Sequence, residues 1–494
     1  MTGPIDEVAA AESAPAQPVP ARPDPAQSAP PPRTPTKRGQ ELAMLTFAAV
    51  VVTTALVLVE VNQEQEVSRT LLYYGAAYLG LFATGHIAVR MLAPYADPLI
   101  LPCVALLNGL GLVLIHRLDL AGAAEATAVG EPIPEGLVPR QIAWTTVALL
   151  LFIGLLVLVR DHRMLARYGY TCGLVGLGLL ALPGLLPSAI SEVNGAKIWL
   201  KFGLFSIQPA EFSKILLMIF FAAFLVTKRD LFTTAGRTVL GMELPRARDL
   251  APLLVAWGLS LGVLVLEKDL GTSLLFFGIV LVLVYIATQR VAWLVIGMSF
   301  FVGGAVLAYQ LFGHLQSRVT AWLDPFSDYD GAGYQIAQSL FGFGTGGLFG
   351  TGLGAGRPDL IPEVETDFIT AVIGEELGFV GFAAVLFTYL LLVMRGMRSA
   401  LAVRDTFGKL LAAGLAFTVG LQVFIVVGGV TKLIPLTGLT APFLSYGGSS
   451  LLANYILVAL LLRISDASRQ PAPTTTGRPQ APLAEAHTEM VRRE

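Results

Sequence analysis

Apolar residues fill the chain in blocks of helix-spanning length, separated by short polar gaps, from residue 42 to residue 463. A helix needs about 20 predominantly apolar residues to cross the hydrocarbon core of a bilayer, where each backbone polar group must be satisfied within the segment. The blocks at 42–61, 70–92, 98–116, 141–159, 168–187, 210–227, 250–267, 270–288, 291–311, 369–394, 409–430 and 441–463 therefore predict about twelve transmembrane helices in an all-α polytopic bundle. Glu267, Lys268 and Asp269 interrupt one longer apolar run, which reads either as a helical hairpin or as one broken helix. Residues 1–40 are rich in Pro and Ala and lack both aromatics and periodicity, the composition of a disordered tail rather than of a cleaved signal peptide. A second polar tail is expected over 464–494.

Composition narrows the class. Charged residues make up 14% of the chain and hydrophobic ones 54%, against about 25% charged in soluble domains. An ordinary soluble enzyme and a disordered protein are both excluded. The two cysteines, Cys103 and Cys172, fall inside predicted spans, so a disulfide scaffold is excluded as well. Net charge −2 offers no basic surplus for a nucleic-acid partner.

Lys and Arg set the orientation. With the N-terminus inside, about 23 basic residues fall on the cytoplasmic side and about nine on the other, the bias the positive-inside rule requires. Both termini are then cytoplasmic, and the loops 188–209 and 312–366 face outward. The second is far longer than the ~12–15 residues at which an unstructured loop usually signals function or disorder.

Ionisable residues at membrane depth are costly and point to function by default. Glu211 and Lys214 stand three apart on one helix face and can pair, either as a snorkelling pair at a helix start or as part of a site. Asp269 can cap the helix beginning near Gly271, a role compatible with function. Glu375 and Glu376 point about 100° apart on a helix and suit its N-terminus. In the long loop, Asp324, Asp328 and Asp330 crowd into LDPFSDYDGAGY, a sequence that suits a turn, a general base or a hard divalent-cation site. Eight glycines between Gly342 and Gly356 permit either close packing or an anion-binding nest. The chain has no HExxH, no GxSxG elbow and no P-loop, so any chemistry rests on carboxylates and cations.

Three segments together resemble the SEDS family of bacterial cell-wall proteins, the RodA/FtsW type. They are Asn194-Gly195-Ala196-Lys197-Ile198-Trp199-Leu200 running to Gln208-Pro209-Ala210-Glu211-Phe212-Ser213-Lys214; Arg318 through Gly331-Ala332-Gly333-Tyr334-Gln335, Gly346-Gly347-Leu348, Pro362-Glu363 and Thr366-Asp367-Phe368 to Glu375-Glu376-Leu377-Gly378; and Leu433-Ile434-Pro435-Leu436-Thr437-Gly438 to Pro442-Phe443-Leu444-Ser445-Tyr446-Gly447-Gly448-Ser449-Ser450. Asp269-Leu270-Gly271-Thr272 is similar to a further family element. The resemblance covers about 98–463 and implies a core of about ten spans, with 41–97 as a two-helix N-terminal addition. The family's loop often reads Asp-Pro where this chain has Asp328-Tyr329, which leaves room for Asp330 to share the work of Asp328.

That resemblance implies a peptidoglycan glycosyltransferase of the cytoplasmic membrane that polymerises lipid II outside it. The implied partners are a class B penicillin-binding protein, which crosslinks the glycan, other proteins of the elongation or division complexes, and membrane lipids. By similarity, Asp328, Glu211, Lys214 and Asp269 are the catalytic group. Lys197, Trp199, Gln208, Arg318, Tyr334, Gln335, Glu363, Asp367, Glu376, Ser445 and Ser449 are the implied substrate-binding positions. A divalent cation, Mg or Mn, is expected at Asp324 and Asp330. The chemistry is consistent: a carboxylate takes the proton of the attacking sugar hydroxyl, and cations stabilise the departing pyrophosphate. The loop is nearer the elongation (RodA) type than the division (FtsW) type. The competing readings are a lipid II flippase and a scaffold for the transpeptidase.

Overall fold

The structure, a computed structural model, describes residues 36–471 apart from 64–68, 194–195, 204, 229–236, 240–241 and 245–246. Each of the twelve apolar blocks carries a helix, although the last, expected from 441, begins only at Gly448. In chain order the helices are α1 Arg38–Asn62, α2 Arg69–Leu92, α3 Ile100–Val129, α4 Leu137–Leu158, the short α5 Met164–Arg167, α6 Gly169–Leu185, the short α7 Ser188–Ser191, α8 Pro209–Thr227, α9 Ala247–Leu266, α10 Leu270–Thr288, α11 Ala292–Leu311, α12 Gly313–Leu323, α13 Tyr334–Gly346, α14 Ile369–Glu376, α15 Gly378–Ala402, α16 Thr406–Val430 and α17 Gly448–Arg469. Among the described residues, nine of these are long and apolar enough to cross a membrane. The remaining predicted spans are α2, the shorter α6 and α9. Strands are confined to two-stranded antiparallel hairpins, two of them (β1 Glu192–Val193 with β2 Ala196–Lys197, and β3 Leu200–Phe202 with β4 Phe205–Ile207) in the segment before α8.

The interruption at 267–269 is a hairpin. Lys268 takes φ 65°, which reverses the chain, and the Asp269 carboxylate accepts the Thr272 N–H at 2.9 Å to cap α10. Trp257 and Phe277, ten residues before and after the turn, bring their rings to 5.1 Å, so α9 and α10 run back along each other.

Helices approach closely where small residues face large ones, the arrangement expected when packing rather than hydrophobicity drives association in lipid. Gly173 and Gly176 on α6 face α8, where an added Cβ would sit 2.8 Å from the Phe220 ring and 3.0 Å from Leu217. Helix α1 packs along α3, α17 along α4, and α16 along α15. Residues 36–470 form one unit, so α1 and α2 are built into the same body as the family-like core.

Two further boundaries differ from expectation. The last helix continues to Arg469, with Ile464, Ser465 and Asp466 buried, so no polar tail begins at 464. The helix expected over 369–394 is broken at Leu377–Gly378, where Gly378 takes φ 66°. The rest of the two expected tails, 1–35 and 472–494, lies outside the described residues. The long loop 312–366 is largely folded: it carries α12, α13 and a short 3-10 turn at Pro358–Leu360.

Candidate active site

Helix α12 ends at Asp324, and a tight turn leads to α13. The Asp324 carboxylate accepts the Phe326 N–H at 3.2 Å, and its carbonyl accepts the Ser327 hydroxyl at 2.8 Å. Asp328 is held from both ends: its carbonyl accepts the Gly331 and Gly333 N–H groups, and its Oδ2 accepts the Ala332 N–H at 2.9 Å. Only glycine fits this fold. A Cβ on Gly331 would lie 2.5 Å from Asp328 Oδ2, and one on Gly333 would lie 2.8 Å from the Pro325 carbonyl carbon. The Asp328 carboxylate is thus oriented by its own turn while the residue stays exposed, as do Asp324 and Asp330. Tyr334 stacks edge-on against Tyr329 with centroids 5.6 Å apart, and Gln335 donates to the Pro362 carbonyl at 3.3 Å. Among the described residues, no three His, Cys, Asp or Glu side chains cluster closely enough to hold a metal ion. Asp324 and Asp330, the positions expected to hold a divalent cation, both stand exposed on this turn.

A second set of polar groups is buried among the spans. Lys214 on α8 donates to Glu211 Oε2 at 2.5 Å and to Gln422 Oε1 on α16 at 3.1 Å. Pro209 opens α8 at a position whose missing N–H costs nothing, and three residues from Glu211 to Lys214 keep both on one face. Gln422 passes the connection on, donating through Nε2 to the Thr440 carbonyl at 2.9 Å, while the Thr440 hydroxyl donates to Ser450 Oγ at 2.9 Å. The Gln208 N–H donates to Ser449 Oγ at 2.9 Å, and its Nε2 lies 3.4 Å from Asp269 Oδ2. Ser445 Oγ accepts the Ala441 N–H at 2.9 Å. Segments 208–214, 269–272 and 436–450, far apart in sequence, thus meet in one hydrogen-bonded system. Burying these groups is tolerable because each has a partner.

Arg318 ties the loop to this system. Its Nη1 donates to the Leu436 and Thr437 carbonyls, both at 3.2 Å, and the Trp322 indole one turn on donates to the Lys432 carbonyl at 3.1 Å. Asp367, half-buried, faces Arg318 beside Gly438. Burial and the neighbouring Glu363 push its carboxyl up to about 7 despite the opposing pull of Arg318. Glu363 itself is exposed, at φ 52°, and its carbonyl accepts the Thr366 and Asp367 N–H groups.

Lys197 lies beside a cavity of about 490 Å³ between α6, the α9–α10 turn and the first hairpin. Its lining mixes the charged Glu192, Lys197, Glu267 and Lys268 with the apolar Ala181, Leu185 and Val263. Glu192 stands directly opposite Lys197 across the hairpin. Trp199, half-buried, is held by its N–H to the Ser191 carbonyl at 3.3 Å.

Glu376 has a different setting. It is fully buried, pairs with Arg117 Nε on α3 at 3.0 Å and accepts the Gly354 N–H at 3.0 Å. Arg117 also donates to the Gly356 carbonyl at 2.7 Å, and Glu375 accepts the Arg357 N–H at 2.8 Å. The glycine run thus folds onto protein carboxylates and carbonyls instead of standing open as an anion nest. No hydrogen bond described here links Glu376 to the Lys214 system, and its surroundings are those of a strut. Arg117, Gln422 and Thr440 had gone unselected in the sequence. Gln422 had a signal, being a lone amide in an apolar span; Arg117 sits at the polar end of one.

The sequence model of the FtsW/RodA/SpoVE family, described as "Cell cycle protein", matches residues 97–470. The chain is 58% identical over 462 residues to the peptidoglycan glycosyltransferase RodA of Mycobacterium tuberculosis (strain ATCC 25618 / H37Rv), covering 93% of this chain and 97% of that protein. It is 36% identical over 392 residues to the probable peptidoglycan glycosyltransferase FtsW of Trichlorobacter lovleyi, covering 78% and 96%. Among solved structures it is similar to a chain from a study of the structural coordination of polymerization and crosslinking by a peptidoglycan synthase complex. That likeness has TM-score 0.59 and 27% identity, and covers 76% of this chain and 99% of that one. A rod-shape-determining RodA of Thermus thermophilus, in an aspartate-to-alanine variant, matches with TM-score 0.53, 27% identity and the same coverage.

Proposed function

The chain belongs to the FtsW/RodA/SpoVE family of cell-cycle proteins and is an integral membrane peptidoglycan glycosyltransferase; from that premise we propose that it polymerises lipid II outside the cytoplasmic membrane during cell elongation, with the Asp328 carboxylate as general base. The observation that carries the reading is the braced turn that presents Asp328 on the same segment whose Arg318 enters the buried polar system.

In this mechanism the acceptor sugar hydroxyl gives its proton to Asp328 as its oxygen bonds to the donor's anomeric carbon. The bond from that carbon to the pyrophosphate oxygen breaks, and the electron pair leaves with undecaprenyl pyrophosphate. Developing positive charge at the ring and negative charge at the leaving group call for fixed charges in a site shielded from water. Lys197 and Lys268, which line the cavity, suit the pyrophosphate, and its apolar lining of Ala181, Leu185 and Val263 suits the first part of the lipid tail. Lys214, held by Glu211 and Gln422, is a fixed charge within the spans rather than a mobile one. Asp324 and Asp330 would hold a divalent cation if one takes part, and it would supply charge stabilisation for the departing pyrophosphate.

An elongation role is favoured by 58% identity to a RodA against 36% to an FtsW. A class B penicillin-binding protein as partner is supported by the likeness to a chain from a complex that couples polymerization to crosslinking. The test is purified protein, with and without that partner, given lipid II in liposomes. Wild type should make glycan strands, and Asp328→Asn should lose about 10²–10⁴-fold in rate, the range for a general base. Full polymerisation by a normally inserted Asp328→Asn overturns the base assignment. Lipid movement without polymer by the wild type favours the flippase.

A further inference from the structure

The family match begins at residue 97, so α1 and α2 lie outside it. The last turn of α1 nevertheless reaches the glycine loop. Asn62 Nδ2 donates to the Leu353 carbonyl at 2.5 Å, and Gln63 Nε2 donates to the Gly354 carbonyl. Gly354, at φ 84°, lies flat on the helix, where an added Cβ would stand 3.2 Å from both Asn62 Cβ and the Val59 carbonyl. On its other side the same stretch is held by the acids: the Thr351 and Gly352 N–H groups donate to the Glu375 and Glu376 carbonyls, both at 3.0 Å. Nearer the centre of α1, buried Glu60 pairs with His116 on α3 at 3.0 Å, which keeps the end of the helix from sliding. The loop is therefore gripped between the family-matching body and the N-terminal addition.

The grip has a lever attached. The glycine loop leaves directly from α13, which begins at the end of the Asp328 turn and, one turn in, holds it through Gln338 Nε2 donating to the Tyr329 hydroxyl at 2.9 Å. We infer that the end of α1 is a clamp, in which Asn62 and Gln63 are positioning residues that hold the glycine loop and, through α13, set the place of the Asp328 turn. The effect on catalysis rests on the assignment of Asp328 above; the grip itself does not.

The test uses the full chain with its penicillin-binding partner and the double variant Asn62→Leu/Gln63→Leu. Hydrogen exchange across 350–357 should speed about tenfold, what two neutral hydrogen bonds are worth, and exchange across 328–334 should speed with it. The polymerisation kcat should fall several-fold while KM for lipid II holds, because the substrate cavity is untouched. The exchange variant Asn62→Gln/Gln63→Asn, which keeps two amide donors, should recover part of the kcat. If the leucine variant fails to insert, the single change Asn62→Ser carries the same exchange measurement. Unchanged exchange across 350–357 overturns the clamp outright. Faster exchange there with an unaltered 328–334 segment and unaltered kcat overturns the positioning role. An unaltered kcat together with a fully active Asp328→Asn instead counts against the Asp328 assignment, and the exchange results then stand alone.

Discussion

Asp367 joins the loop chemistry to the pH of the medium. Its carboxyl sits half-buried among Glu363, Glu365 and Arg318, and burial is the largest reason its pKa rises from the ordinary 3.8 to about 7. An acid whose folded pKa is raised costs the folded state whenever it must ionise. Its favourable contribution is complete below the unfolded value and is lost as pH climbs through the folded one. Asp367→Asn removes that cost. The variant's melting temperature should therefore gain on the wild type as pH rises from about 4 to about 8, read by thermal melts of the detergent-solubilised protein. A gap that stays constant with pH would mean that Asp367 ionises in the folded protein as freely as in the unfolded chain. Asp328 has a different environment: it is exposed, and its own turn brings the Ala332 N–H to its carboxylate.

At the scale of elements, the Arg117–Glu376 pair joins α3 to the break between α14 and α15, and the glycine loop is threaded through it. Removing one partner of a buried pair leaves an uncompensated charge, a loss of about 3–5 kcal/mol. Arg117→Met should destabilise by that order. The double variant Arg117→Met/Glu376→Gln should recover most of it, because the amide still accepts the Gly354 N–H. Chemical denaturation of the four proteins in one cycle measures the coupling. The pair also marks what could be read in advance. Every apolar block became a helix, since twenty apolar residues in lipid have few alternatives, and Asp269 caps α10 as its place before Gly271 implied. Glu376 was legible as an acid in a motif, suited to a helix N-terminus, but it is the last residue of α14 and serves as a strut. Its partner lies 259 residues away, and no local pattern encodes that meeting. The break at Gly378 was equally hidden, because hydropathy does not respond to a backbone angle. The glycine run was visible while its use was not: glycine permits close approach to a phosphate and to a protein carbonyl alike, and only the fold decides which.

Across the whole molecule, α1 runs between two polar seams, the glycine loop at its Asn62 end and a cluster at its Arg38 end. In that cluster Arg38 pairs with Glu41 and donates to the Ala96 carbonyl, while the His86 ring lies 2.7 Å from Glu41. Asp97, fully buried, accepts from Arg469, and its N–H donates to Ser465 Oγ at 3.0 Å; the Tyr95 N–H donates to Asp466 at 2.8 Å. The 95–97 connection is thus fastened by the final turns of α17, which hydropathy alone would have discarded as tail. Arg395 lies 3.8 Å from Asp97, too far to replace Arg469 as a close donor. Cutting the chain after Arg463 removes Ser465, Asp466 and Arg469 together and leaves the buried Asp97 carboxylate with the Leu99 N–H but without its close cationic partner. The expected loss is about 3–5 kcal/mol, seen as a lower melting temperature, whereas ending the chain after Gln470 should leave the melt unchanged. The cause can be separated from simple shortening of the helix. If the unpaired charge is responsible, Asp97→Asn should restore part of the lost stability in the chain cut after Arg463 and lower it in the chain cut after Gln470. The opposite signs of one substitution in two backgrounds identify an electrostatic fastening, and equal effects in both would assign the loss to helix length instead.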